Sequence, residues 1–382
     1  MAIDGTLAGD GNLIAAHRAQ SRANGGGGLA ALLKAAQARS GRSPMSMVAE
    51  YWKLHRKPGR LTLPEYFDYN LYDDSLYDAA AKERFITERL HWPITNLCSD
   101  ITWRAATEDK WLSYKLLQHL GAATPQTLAV IDRSGRAFGP DRHIASAQAL
   151  RDFLAGSDFP LFAKPNASLR SLGVFMIEGY GNGMLRLDGG REATVEEVLD
   201  RMIGDTCYLL QAVVRNHAQI RSYASALATV RLVNLVAGDR VTTLATALKI
   251  PGGDNIADNF WRVGNLLANI DPEHGTILRV LRGTGPGMEE FQQHPATGQQ
   301  LVGTRLPHWQ EVRRVNDACA RLFAPVRYQS LDIALTDAGP VVVEVNVGGS
   351  FVLPQMASGQ GLLTEETRDF FVGCGWKAGR RR

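Results

Sequence analysis

The sharpest alternation of apolar and polar positions lies near the C-terminus. Leu331, Ile333 and Leu335 alternate with polar or small residues, and Val341, Val343 and Val345 repeat the pattern after Asp337-Ala338-Gly339. A period of two marks half-buried strands. A three-residue connection with glycine where φ must be positive suits a hairpin. Centred on Ala338, this hairpin sets Asp332 opposite Glu344, with Asn346 two residues further on. Side chains alternate across a strand, so these three share one face. The opposite face is uniformly apolar and is expected in a core.

Further β-type runs fall at 128–131, 161–164, 174–178, 208–214, 229–236 and 241–250. A helix is expected after Thr107 as N-cap, with Glu108 and Asp109 in its first turn, Leu112, Leu116 and Leu120 as its stripe, and Gly121 as its stop. Other helices are expected at 145–154, 195–203 and 309–322. This mixture predicts an α+β body with mostly antiparallel pairing. Residues 1–45 are rich in Ala, Gly, Arg and Ser and read as a flexible tail, with a short helix over 29–38. Between Tyr51 and Trp103 the chain becomes aromatic. That stretch reads as a helical region packed on a larger body, or alternatively as a groove for a partner or substrate.

Composition narrows the classes. The 382 residues carry 42 Lys+Arg against 39 Asp+Glu, and 45% are hydrophobic. That fraction excludes wholesale disorder. The net charge is +3, but residues 1–45 and 377–382 contribute +3 and +4, so the body between them is −4. A mildly acidic body argues against nucleic acid as a partner. Cys98, Cys207, Cys319 and Cys374 are scattered, which argues against a zinc site or a disulfide framework. No apolar run approaches the ~18 residues of a membrane span, and Asp4 and Asp10 stand where a signal peptide wants cations. A soluble, reduced, cytoplasmic protein is expected.

Three stretches carry candidate chemistry. On the hairpin, three oxygen donors on one rigid face suit Mg²⁺, a hard cation that combines few protein ligands with phosphate oxygens. The alternative is a solvated face with incidental acids. Phe162-Ala-Lys164 ends a strand before a small, polar loop that includes Ser168 and Ser171 and reaches Gly173. Such a loop can offer N–H groups and hydroxyls to phosphates while Lys164 supplies charge. A lysine at a strand end is more often simply solvated. In Thr229-Val-Arg231, a guanidinium sits in an apolar strand and needs an anionic partner, internal or bound. Lys249 and Lys110 are further candidates.

Taken in order, these residues resemble an ATP-grasp enzyme, and most closely the sugar-transfer-associated ATP-grasp family, which is similar to α-L-glutamate ligases. The resemblance spans about 108–360. It is carried by Leu209-Leu-Gln211 through His217, Thr229-Val-Arg231, Gly253 to Phe260, His294-Pro-Ala-Thr-Gly298, and Asp332 through Asn346. It implies an ATP-grasp fold, two α+β subdomains gripping ATP between them, with a mostly helical N-terminal extension. The implied divisions are a tail at 1–45, a helical and aromatic region at 46–155, a nucleotide-lid subdomain at 156–215, a catalytic subdomain at 216–376 and a basic tail at 377–382. Lys110 and Lys164 would then contact phosphates, under a covering loop containing Ser168, Ser171 and Gly173. Gln211, Ala212 and Val213 would meet adenine, with His217 just beyond. Asp332, Glu344 and Asn346 would hold Mg²⁺. Arg231, with Lys249, would clamp the reacting phosphate or acyl group. Asp254, Asn259 and Arg262 would lie near the acceptor.

The implied activity is a biosynthetic, Mg²⁺-dependent ligase that activates a carboxylate as an acyl phosphate for attack by an amine. An ATP-grasp kinase acting on a hydroxyl, or a non-catalytic ATP-binding module, are the alternatives. The expected partners are a small-molecule acid and amine, with a homodimer allowed and with neither nucleic acid nor membrane.

Overall fold

The computed structural model describes residues 28–167, 173–253 and 255–378. Ser168, Ser171 and Asp254, together with residues 1–27 and 379–382, lie outside them. The chain begins with helices α1 (Leu29–Ser40), α2 (Pro44–His55), α3 (Leu63–Asp68), α4 (Ala79–Glu83) and α5 (His91–Cys98). From residue 28 the expected tail is therefore helical. Ala36 is fully buried in a cluster with Met47, Leu54 and Tyr66, and this contact holds a sequence too bland to predict more than a short helix. The aromatic stretch is core: Tyr66, Phe67, Tyr69, Tyr72 and Phe85 pack with Leu267, Leu281 and Met356 of the body.

Two short helices follow, α6 (Arg104–Glu108) and α7 (Lys110–His119). The expected cap at Thr107 is displaced. The Thr107 hydroxyl instead donates back to Arg104 O, and Asp109 caps α7 by accepting from Leu112 N at 2.9 Å. The later start turns the helix. Its buried face is Lys110, Ser113, Tyr114 and Leu117, spaced i, i+3, i+4, i+7, whereas Leu120 is exposed.

The body has two sheets. The first holds β1 (Thr127–Ile131), β2 (His143–Ile144), β3 (Leu161–Pro165), β4 (Phe175–Gly181), β5 (Met184–Leu187), β6 (Arg191–Thr194) and β7 (Tyr208–Ala212). Their order is β2-β1-β7-β3-β4-β5-β6. So β1 and β2, from the stretch read as 46–155, join the sheet of the next division. Helix α8 (Ala147–Ala155) packs on this sheet, as do Val195 to Ile203. The second holds β8 (Thr229–Ala237), β9 (Arg240–Ile250), β10 (Leu266–Ile270), β11 (Ile277–Arg282), β12 (Glu289–Glu290), β13 (Tyr328–Thr336) and β14 (Gly339–Val347). The order is β12-β11-β10-β9-β8-β13-β14, all antiparallel. One face buries Val230, Leu232, Leu248, Ile250, Leu331 and Ile333 under the amphipathic helix at Trp309–Leu322. The other face is divided: Ala247, Leu267 and Leu281 pack under the N-terminal helices, and the charged residues lie beside them.

The hairpin reaches its expected pairing by a different route. Thr336 pairs with Gly339, so the turn has two residues rather than three, and a bulge between Asp332 and Ile333 restores Asp332 opposite Glu344. The bulge also changes which valines are buried. Val342 and Val345 enter the core with Ile333 and Leu335. Val341 and Val343, expected there, do not, because the extra residue shifts the alternation by one position.

Candidate active site

This second face carries a row of facing residues. Glu344 on β14 pairs with Asp332 on β13, Asp332 with Arg231 on β8, and Arg231 with Ala247 on β9; one step along, Thr229 pairs with Lys249. Arg231 donates from Nε to Asp332 Oδ1 at 2.8 Å and from Nη2 to Oδ2 at 2.7 Å. Lys249 Nζ lies 3.1 Å from the same Oδ2 and 3.1 Å from Asp258 Oδ2. The Thr229 hydroxyl donates to Asp258 as well. Burial alone would raise the Asp332 carboxyl, but Arg231 and Lys249 outweigh it and hold the group well below the usual carboxylate range. Burial likewise disfavours the Arg231 cation, and Asp332 overrides that to hold it above its ordinary value.

Helix α7 closes the other side. Asn166, just past β3, accepts Trp111 N through Oδ1 at 2.8 Å, and its backbone carbonyl accepts Lys110 N at 3.1 Å. This docks the end of β3 on the start of α7 and brings two lysines to one place. Lys110 Nζ lies 3.1 Å from Glu344 Oε1. Lys164 Nζ donates to Tyr114 OH at 2.5 Å, and that hydroxyl donates to Val343 O, the bulged residue of the hairpin, at 2.7 Å. Burial lowers Lys164 to about 8, against the pull of Glu344.

The structure therefore gathers Lys110, Lys164, Arg231, Lys249, Asp332, Glu344 and Asn346. Four buried or half-buried cations meeting two carboxylates and an amide make a site that can exchange internal ion pairs for bound anions. Among the described residues no cluster of three His, Cys, Asp or Glu side chains has metal-holding geometry, so the candidate cation set is two carboxylates and an amide.

The other expected residues take the following positions. Gln211 is buried with its amide donating to Thr127 Oγ1 at 3.2 Å, and Ala212 N bonds Gln126 O; Val213 follows the end of β7. His217 stands at the hairpin tip, beside Asp337 and against the His308 ring, away from the carboxylates. Asn259 and Arg262 shape a loop whose keystone is Asn265, bonded to Gly252 N, Ala257 O and Asn259 O. Gly173 has φ +74, and a Cβ there would sit 2.7 Å from Tyr208 OH.

Sequence reasoning missed four contributors. Tyr114 was legible only as a helix residue four positions after Lys110. Asp258 lay within a quoted motif without a role. Glu88 and His91 gave no signal at all, yet they hold the loop that follows Asn346. Glu88 accepts Phe351 N at 2.7 Å, Val352 N at 3.2 Å and Ser350 Oγ at 3.2 Å, while His91 Nε2 accepts Ser350 N at 3.1 Å. Gly348, at φ +75, leaves room for the His91 ring, which a Cβ would meet at 2.5 Å. Burial raises the Glu88 carboxyl despite these donors.

Residues 102–369 match the family described as sugar-transfer associated ATP-grasp. The chain belongs to that ATP-grasp family. The match begins beyond α5, so Glu88 and His91 reach into the ATP-grasp body from outside it. Among curated proteins, none matches the chain in sequence. Solved structures show remote likeness. The VanG D-Ala:D-Ser ligase of Enterococcus faecalis is 13% identical over 72% of this chain and 64% of its own, with a TM-score of 0.42. A D-alanine–D-alanine ligase of Bacillus anthracis is 15% identical over 72% of this chain and 69% of its own, at 0.40. The ATP-grasp ligase PsnB, complexed with a phosphomimetic precursor variant, Mg and ADP, is 12% identical over 72% and 61%, at 0.34. The chain thus spans under two thirds of VanG, and the substrates named for these proteins are theirs. No described helix is long and apolar enough to cross a membrane.

Proposed function

We propose that this ATP-grasp protein is an ADP-forming ligase that joins a small carboxylic acid to an amine. The observation that carries this reading is the row Glu344–Asp332–Arg231, flanked by Lys249 on one side and Lys110 on the other. A carboxylate is a poor electrophile. Its oxygen attacks the γ-phosphorus of ATP, ADP leaves, and the acyl phosphate is then attacked at carbon by the amine, expelling phosphate. Both steps concentrate negative charge, and four lysine and arginine side chains on a largely water-excluded face answer it. Lys110 and Lys164 approach from α7 and β3 and take the phosphate side. Arg231 and Lys249 face the oxyanion that forms at the acyl carbon, where one well-placed donor is typically worth ~10²–10³ in rate.

The three oxygen donors fit Mg²⁺. Asp332 and Glu344 are directly opposed and Asn346 is two residues on, so the donor set offers two carboxylates and one amide oxygen, the ligand types a hard cation takes. These residues would hold the ion, which when bound neutralises charge on the phosphoryl oxygens. Lys110 then exchanges Glu344 for phosphate.

Hydroxylamine tests the reading. With ATP, Mg²⁺ and a panel of amino acids, sugar acids and other carboxylates, a ligase releases ADP and phosphate together and traps the acid as its hydroxamate. A phosphorylated hydroxyl product without free phosphate would establish the kinase alternative. Nucleotide binding in calorimetry without turnover of any acid or hydroxyl would leave the non-catalytic ATP-binding module.

A further inference from the structure

Cys98 ends α5 in the N-terminal extension, and Cys374 caps the C-terminal helix α13 (Glu365–Gly373), counting α9 (Val195–Glu197), α10 (Ala218–Arg221), α11 (Trp309–Leu322) and α12 (Val352–Ser358) between. The two meet in one cluster with Tyr328, Phe351, Phe371 and Trp376, where Cys98 is buried and Cys374 is half-buried at the rim. The segments that carry them touch, since a Cβ on Gly375 would lie 3.9 Å from Leu97 Cδ2, and each thiol shifts the titration of the other. Arg327 stands beside both, its guanidinium 4.9 Å over the Phe370 ring and its backbone N–H bonded to Cys98 O at 2.9 Å. A partly accessible thiol next to a cation and a second, resolving thiol is the arrangement that oxidants select.

We propose that Cys98 and Cys374 form a peroxide-oxidisable dithiol site, whose disulfide ties the N-terminal extension to the last helix. The Cys374 thiolate attacks one oxygen of a hydroperoxide, the O–O bond breaks, and hydroxide (or alkoxide) leaves, giving a sulfenic acid. The Cys98 sulfur then displaces water from it, forming the S–S bond. Two thiols are oxidised and one peroxide is reduced to two waters, or to water and an alcohol. The Cys98 thiol, aided by Arg327 and opposed by burial, holds Cys374 at about 7. By contrast, burial pushes Cys207 and Cys319 up to about 12. The bond would form on the helix that begins with His91, the residue supporting Ser350 beside the candidate active site.

The test treats the full-length protein with equimolar hydrogen peroxide, unfolds it in N-ethylmaleimide, and maps the peptides by mass spectrometry. The expected result is a Cys98–Cys374 linked pair, lighter than its two peptides by two hydrogens and lost on dithiothreitol treatment, with Cys207 and Cys319 alkylated. Cys98→Ser should leave Cys374 as a sulfenic acid that dimedone traps. Cys374→Ser, at the more exposed position, should leave Cys98 alkylated. Four alkylated cysteines after peroxide, or sulfinic acid at Cys374 with Cys98 still free, would overturn the proposal.

Discussion

Arg231 grips Asp332 with both prongs of its guanidinium, and both residues lie largely out of water on facing strands. Removing one member of a buried ion pair strands the other charge and costs ~3–5 kcal/mol. Lys249 still reaches Asp332, which lessens the loss. Arg231→Met is therefore expected to lower the free energy of unfolding in urea by about 3 kcal/mol. The double variant Arg231→Met/Asp332→Leu should lose less than the single. A double variant less stable than the single would show that the pair contributes packing rather than charge balance.

Lys164 gives a pH signature. Burial takes it from its ordinary 10.5 to about 8. Between those values the unfolded chain keeps a proton that the folded protein has released, so stability rises with pH across the window. Below about 8 both states are protonated, and the penalty for burying the ammonium is complete. Lys164→Met should flatten this rise in urea titrations run at successive pH values. Phosphates beside Lys164 would restore its proton. ATP binding measured by calorimetry near pH 8.5 in two buffers of different ionisation enthalpy should show proton uptake that Lys164→Met abolishes. Equal uptake in both proteins would remove Lys164 from the phosphate site.

Tyr114 joins the two halves of the site, taking a hydrogen bond from Lys164 and giving one to the bulged Val343. Tyr114→Phe keeps the ring but leaves two buried groups unpaired, at about 1–3 kcal/mol each. The expected outcome is a loss of a few kcal/mol in stability, together with weaker ATP binding than in wild type. Full stability with unaltered nucleotide affinity would mean that the bulge holds itself.

What was legible in the sequence follows from physics at particular positions. The hairpin from Asp332 to Asn346 could be read because a two-residue period over an apolar face admits few registers. Even so, the expected three-residue turn and the absence of a bulge were two errors that cancelled at Asp332 and Glu344, and they did not cancel at Val341 and Val343. Strands β5 and β6 escaped notice because both span only four residues, and β6 at the sheet edge is also largely exposed and carries charge. The capping of α7 was misread because Thr107 and Asp109 are both good caps, and only the packing of Tyr114 and Leu117 decides between them. Glu88 and His91 had no local signature, since their roles depend on contacts more than 250 residues away.

Glu344 separates catalysis from folding most cleanly. Its side chain keeps about a quarter of its exposure, and its ion pair with Lys110 is 3.1 Å long. Lys110, however, is buried, so removing Glu344 deprives that cation of one partner, at about 1–3 kcal/mol. The neighbouring core is held by Val342 and Val345 rather than by this carboxylate. Glu344→Ala should therefore stay folded with a loss of about 1–3 kcal/mol, while ATP turnover falls on the order of 10²–10³-fold, as expected when one charge-stabilising group is removed. Glu344→Gln retains the oxygen but not the charge and should fall between them. Calorimetric titration supplies the second readout: Mg²⁺ should strengthen binding of a non-hydrolysable ATP analogue to wild type and do so far less in Glu344→Ala. Turnover and Mg²⁺ dependence both unchanged in a folded Glu344→Ala protein would sink the cation site on this hairpin, and with it the exchange of Lys110 from Glu344 to phosphate.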